Sequence, residues 1–243
     1  MKRIGLAQVK INVRIIALGL CFSCAPFAAL SAQGLAPSAP PAKAPATDSQ
    51  AALTAAFQDL SRNDMDGALA KVNQILQLDP QNKQALLLRA GLYAQQKKWD
   101  DADHDYQIIL VMEPDSTIVK FDVADLKFLQ KKYDDARRGF ADLEHDKSLG
   151  DLAVYKAFLC DLFGGHEDVA ASDLQALDQV GGNPSYYFGN AAWDIAHHKN
   201  EDAAGWLKSA AYIYEKAPQK FSQYAASLTS VGYLPLPPTT PRN

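Results

Sequence analysis

Alanines stand 34 residues apart five times in succession, at Ala68, Ala102, Ala136, Ala170 and Ala204. An aspartate lies two places before each: Asp66, Asp100, Asp134, Asp168 and Asp202. Twelve places before four of the five comes another alanine (Ala56, Ala90, Ala124 and Ala192), with Phe158 in that place in the fourth. Pro80 and Pro114 keep the same period, and so do Pro184 and Pro218 two places later in their units. A fixed period of this length is the mark of a repeat architecture, and it constrains the fold before any local propensity is consulted. One period holds two helices of about a dozen residues with tight turns. Small residues fall where the helices cross, because a side chain larger than alanine would hold the backbones apart. Each Asp is expected to open the second helix as its cap, accepting from unpaired N–H groups and meeting the positive end of the dipole. Prolines are expected between units, since proline starts a helix but cannot continue one. In KKWDDADHDYQIILVMEP, Trp99 precedes the cap, Ala102 sits at the crossing, Tyr106 and Ile109 follow at core spacing, and Pro114 closes.

Ahead of the period, Lys2, Arg3, Lys10 and Arg14 make a basic leader, followed by the apolar run IIALGLCFSCAPFAAL and small residues ending at Ser31-Ala32. That order describes a secretory signal peptide, predicted over residues 1–32 with cleavage after Ala32. The competing reading is an uncleaved membrane anchor, because Ile15 to Ala32 approaches spanning length, although Pro26 and Ser23 argue against it. A lipid attachment site needs a small residue just before its cysteine and an aliphatic one three before, and neither Cys21 nor Cys24 has both. The expected location is therefore periplasmic or secreted, at the cell envelope, with a membrane-anchored form as the alternative. Residues 33–48, QGLAPSAPPAKAPATD, cannot bury enough surface to fold and read as an extended Ala/Pro-rich linker.

Cleavage would remove four of the 24 Lys and Arg residues, leaving 20 against 28 Asp and Glu and a formal charge of −8. An acidic chain with no basic stripe is a poor partner for nucleic acid. Cys160 would then be the sole cysteine, so no internal disulfide holds the fold, and the thiol is expected to be buried as a small hydrophobe.

The period and these residues resemble the tetratricopeptide repeat (TPR) family, over about residues 49–217. The resemblance implies an all-α fold, a right-handed α-α superhelix of about five helix-turn-helix repeats at 49–82, 83–116, 117–150, 151–184 and 185–217. Repeats four and five depart from the pattern. They lack the closing proline at its usual place, carry Gly164-Gly165 and Gly181-Gly182 at turns, and have Lys208 where an apolar residue is usual, which leaves their phase open by a residue or two. The segment PQKFSQYAASLTSVG spaces Phe221, Tyr224, Leu228 and Val231 along one face. It resembles the extra helix that caps such an array, here over 218–232, covering the apolar end of the last repeat. Residues 233–243 form a Pro-rich tail.

No catalytic constellation is present: there is no phosphate-binding glycine loop, no GxSxG and no HExxH. His197 and His198 diverge by about 100° on a helix, so they do not converge on one ion. The chain is read as no enzyme, with no cofactor and no metal. The resemblance further implies that the first helix of each repeat faces a concave groove, whose usual positions fall on Leu53, Phe57, Leu87, Phe121, Asp125, Phe128, Tyr155, Leu159 and Trp193. Such an apolar, aromatic surface suits a hydrophobic peptide or helix of a protein partner. On that reading Phe121→Glu weakens partner binding more than it unfolds the array. The alternative is a self-associating structural protein of the envelope, with the groove filled by its own residues.

Overall fold

The computed structural model describes residues 46–178 and 183–234. The expected leader, the linker as far as residue 45, Gly181-Gly182 and the tail beyond residue 234 lie outside the described residues. Among the described residues there are eleven helices and no strand. They fall in two compact units divided between Ile109 and Leu110. The first holds α1 (Ala46–Ser61), α2 (Met65–Leu78), α3 (Lys83–Gln95) and most of α4 (Trp99–Met112). The second holds α5 (Thr117–Leu129), α6 (Tyr133–Ala141), α7 (Gly150–Gly164), α8 (Glu167–Asp178), α9 (Pro184–Ala196), α10 (Asn200–Ile213) and α11 (Pro218–Ser230).

One turn recurs wherever a first helix gives way to a second. Asn63, Lys97, Lys131, Gly165 and His198 all have positive φ, between 58° and 83°. Each is followed by a residue whose N–H reaches back over the turn: Asp64 to Asp59 O, Lys98 to Tyr93 O, Lys132 to Lys127 O, His166 to Asp161 O and Lys199 to Asp194 O, at 2.7–3.0 Å. This is the Schellman closure, in which a left-handed residue ends one helix and satisfies carbonyls that would otherwise be orphaned. The next residue already stands at the start of the second helix. Only Gly165 adopts this conformation without a steric penalty; the other four carry a Cβ there.

The turn fixes where the helices cross. Ala68, Ala102, Ala136 and Ala170, five residues after the first four turn residues, are fully buried. In the fifth unit the expected Ala204 is exposed and Ala203 takes the buried place. The reason lies upstream: His198 follows Gly165 by 33 residues rather than 34, so everything after that turn arrives one residue early. Elsewhere the crossing is tighter than alanine. A Cβ on Gly139 of α6 would stand 2.8 Å from the Ala124 Cβ of α5, closer than carbon atoms pack.

The aspartates that mark the period do not cap their helices. Asp64 caps α2, its side chain accepting from Gly67 N at 2.8 Å, while Asp66 lies within the first turn. Asp100, Asp134, Asp168 and Asp202 likewise lie inside the first turns of α4, α6, α8 and α10, all exposed. Their contribution is attraction to the helix dipole, about 0.3–1 kcal/mol each, rather than a cap hydrogen bond. Pro184 and Pro218 open α9 and α11, where a missing N–H costs nothing. The short α6 is followed by a turn in which Asp146 accepts from Ser148 N (2.8 Å), Leu149 N (2.9 Å) and the Ser148 hydroxyl (2.8 Å), delivering the chain into α7. These bonds hold the Asp146 carboxyl down to about 2.

The one-residue slip makes a paired prediction. Ala203→Leu overpacks the crossing and is expected to lower stability by about 1–3 kcal/mol. Ala204→Leu, on the exposed side, is expected to stay within about 0.5 kcal/mol of the wild type. Urea denaturation of the two variants gives both numbers, and equal effects would reject the shifted register.

Candidate functional site

In the first unit, Leu53 of α1 is buried, while Phe57 on the same helix and Leu87 on α3 are half-buried. Beside them runs a polar spine. Arg89 of α3 donates from Nε and Nη2 to the two carboxylate oxygens of Asp105 on α4, at 2.8 and 2.7 Å, and from Nη1 to Asn73 Oδ1 on α2 at 3.0 Å. The two-pronged geometry fixes the guanidinium plane, so this pair sets the relative positions of three helices as well as neutralising a buried carboxylate. Lys71 pairs with Asp59 across α2 and α1 in the same way.

In the second unit the expected groove residues other than Trp193 lie in the interior. Phe121 is 1 % exposed and packs on Phe140 of α6 with ring centres 5.1 Å apart. Phe128, Tyr155 and Leu159 are as deeply buried. A glutamate at position 121 would therefore be an interior charge, and loss of the fold, rather than loss of a contact, is its expected result. Asp125 is buried too, and its partner is Lys156 of α7, whose ammonium also stands 4.4 Å from the centre of the Phe128 ring. One turn before Asp125, the Asp122 carboxyl is pushed well above the ordinary range, first by burial and then by the charge of Asp125. Trp193 of α9 is half-buried and stacks on His197 at 4.2 Å.

Tyr155 is covered by α11. That helix packs on α9, and its Tyr224 ring lies 5.0 Å from Tyr155 of α7 and 5.9 Å from Phe188 of α9. Phe221, one turn earlier, meets Phe188 at 5.1 Å edge to face. The Tyr224 hydroxyl donates to Asn183 Oδ1 at 3.3 Å, the same atom that caps α9 by accepting from Ser185 N. Just past the helix, Tyr233 meets Phe163 of α7 at 5.1 Å. There the chain borders a cavity of about 580 Å³ lined by Phe128, Tyr133, Phe163 and Tyr233 among others. So α11 lies over the first helices of two repeats, while Tyr212 and Ile213 at the end of α10 are exposed. The i, i+3, i+7 spacing of Phe221, Tyr224 and Leu228 was visible in the sequence; which helices they would meet was not.

Lys156 and Phe188 were missed by sequence reasoning. A lysine inside the apolar run AVYKAFLCDLF has no local signal for burial, because the aspartate that neutralises it lies 31 residues upstream. Cys160, also on α7, is buried as expected, and burial pushes its thiol up to about 12. The two adjacent histidines separate: His198 occupies the left-handed turn, while His197 Nδ1 lies 2.8 Å from Trp193 O and Nε2 lies 2.8 Å from Glu167 Oε1 of α8. Among the described residues no helix is long and apolar enough to cross a membrane.

Two predictions come from these contacts. Lys156→Met leaves Asp125 charged and unpaired in the interior, which is expected to cost about 3–5 kcal/mol, whereas Lys156→Met with Asp125→Leu recovers most of the loss. Denaturant unfolding of the single and double variants decides it; equal losses would mean the pair is not coupled. The second concerns pH. The Trp193 carbonyl, and after it Glu167, raise the His197 value above its ordinary 6.5. The stabilisation is then fully present below the unfolded value and is lost as pH rises through the folded one. Comparison of melting from pH 5 to 8 should show this loss in the wild type and its absence in His197→Gln.

A family model of the tetratricopeptide repeat matches residues 59–104. No curated protein matches the chain in sequence. Among solved structures, TTC0263, a thermophilic TPR protein in Thermus thermophilus, is similar over 74% of this chain and 99% of its own, at 16% identity and a TM-score of 0.56. PilW, a widely conserved type IV pilus biogenesis factor, is similar over 76% of this chain and 86% of its own, at 19% identity and a TM-score of 0.51. At these identities the likeness is one of fold.

Proposed function

We propose that this chain is a tetratricopeptide-repeat protein, an exported, non-catalytic scaffold that holds a protein partner on the first helices of its repeats. Domains of this kind generally bind protein partners. The observation that carries the reading is the repeated helix hairpin itself, with half-buried apolar side chains on its first helices. Phe57 and Leu87 in the first unit are such residues, as is Trp193 in the second. Export is supported by the basic leader, the apolar run and the small-residue exit over residues 1–32. A periplasmic or envelope location follows from that leader alone.

A second reading is favoured by one observation: Tyr155 and Phe188 pack together beneath Tyr224 of α11, so in the second unit the chain fills its own first-helix surface. On this reading the protein is a structural module that associates with copies of itself.

Cross-linking from the cell envelope separates the two. The mature chain is compared with a Phe57→Glu/Leu87→Glu variant shown by circular dichroism to keep its helices. Proteins captured by the wild type and lost in the variant are the expected result. Recovery of the chain alone, with mass rising with concentration in light scattering, would instead establish self-association. The same set captured by both would reject these two residues as the binding face.

A further inference from the structure

The helix that covers Tyr155 closes one side of the most deeply buried helix, α7. α7 is buried around its circumference, with Leu152, Tyr155, Phe158 and Leu159 all interior. A helix apolar on every side needs a neighbour on every side, and on one of them that neighbour is α11. By contrast α11 buries only Tyr224 and Leu228 among its large side chains, with Phe221 half-buried, and its other buried residues are Ala225 and Ser227. Its N-terminus has no side-chain cap and no acidic residue in the first turn. The other end is closed, with Tyr233 N–H donating to Leu228 O at 2.9 Å, but few buried apolar contacts and an uncapped N-terminus favour opening of this element on its own.

Beneath it lies a polar mismatch. The Tyr155 hydroxyl is fully buried and has no hydrogen-bond partner. A buried donor without an acceptor destabilises the arrangement that buries it. The Tyr224 hydroxyl does not relieve it, since that group is engaged with Asn183. The covering helix thus fits the aromatic surface by shape and leaves one polar group unanswered.

We propose that α11 is a displaceable internal ligand, and that the surface of α7 and α9 beneath it receives a partner helix of the same pattern: aromatic residues three apart, an aliphatic residue four further on, and a neutral acceptor for Tyr155. The pattern is that of Phe221, Tyr224 and Leu228, which occupy the surface now. The acceptor is an amide or hydroxyl rather than a carboxylate, because Tyr155 is fully buried and a carboxylate beside it would be an interior charge without a counter-charge. The inference rests on the reading that the chain fills its own first-helix surface, and it adds that the filling is exchangeable. Displacement would expose Tyr155 and Phe188 together, converting a closed face into a docking one.

Native-state hydrogen exchange on the intact chain is the first test. The amides of α11 should exchange through an opening of their own, at least about tenfold more frequent than that of α7 and α9. Tyr155→Phe removes the unanswered hydroxyl and keeps the ring, and should slow α11 exchange by about tenfold while leaving α7 unchanged. The second test uses a fluorescent peptide, PQKFSQYAASLTSVG, added to the chain. It should bind a Phe221→Ala/Leu228→Ala chain at least tenfold more tightly than the wild type, and a peptide with both aromatics replaced by alanine should not bind. A folded variant that takes up no more peptide than the wild type overturns the proposal. Should that variant fail to fold, the exchange experiment decides alone: α11 amides that exchange only together with α7 and α9 overturn it. Absence of any protection in α11 would go further and remove the self-filling reading itself, whereas protection without separate opening removes only the exchangeable ligand.

Discussion

Everything periodic in this molecule depends on a backbone reversal made in one way. A left-handed residue ends the first helix, its successor's N–H closes back five residues, and the second helix begins at once. With the turn fixed, the distance from turn to crossing is fixed as well, so a buried alanine follows each turn residue by five places. Polar contacts inherit the same register. Lys71 meets Asp59 and the Trp206 indole N–H meets Asp194, each pair twelve residues apart and each joining a second helix to its first. When the fifth turn comes one residue early, the alanine and the aspartate move with it. The slip is therefore a displacement of turn, crossing alanine and the Asp194 contact together.

This explains what could be read from the sequence and what could not. The period, the all-helical class and the alanines at the crossings are consequences of local geometry repeated along the chain, and repetition is visible in one dimension. The role of the aspartates was misjudged because a cap and a first-turn residue differ by two positions, and only the end of the turn decides which is which. The expected groove positions came from the resemblance to the repeat family. Whether Phe121 or Tyr155 meets solvent depends on what lies over it, and α11 comes from a segment some sixty residues later than Tyr155. Ala204 failed for a smaller reason: a shortening by one residue upstream of the turn is hidden when alanines stand at both candidate positions.

The interior charges follow a consistent logic. Lys156 and Asp161 lie on α7, and each finds its opposite on the preceding hairpin, Asp125 on α5 and Arg137 on α6 at 2.8 Å. A buried ion pair adds little to stability when compared with well-packed apolar residues, but it penalises every arrangement that separates the partners. Helices whose faces are otherwise filled with leucine, alanine and phenylalanine could slide by a turn at small cost. The pairs at two levels of α7 forbid that, so they act on the uniqueness of the packing more than on its depth. Tyr155 lies on the same helix and lacks such a counterpart.

Cys160 sits among these groups, close enough to Lys156, Asp161 and Arg137 to feel their charges, yet burial dominates and keeps its sulfur protonated. A thiol in that state neither attacks a disulfide nor is attacked by an oxidant while the second unit is closed. Once the unit opens, its ordinary reactivity returns. In surroundings that oxidise thiols, a molecule that has opened even briefly can leave with a mixed disulfide or an oxidised sulfur that no longer fits the interior. Oxidation of Cys160 would therefore separate, by a covalent mark, the copies that have remained shut from those that have not.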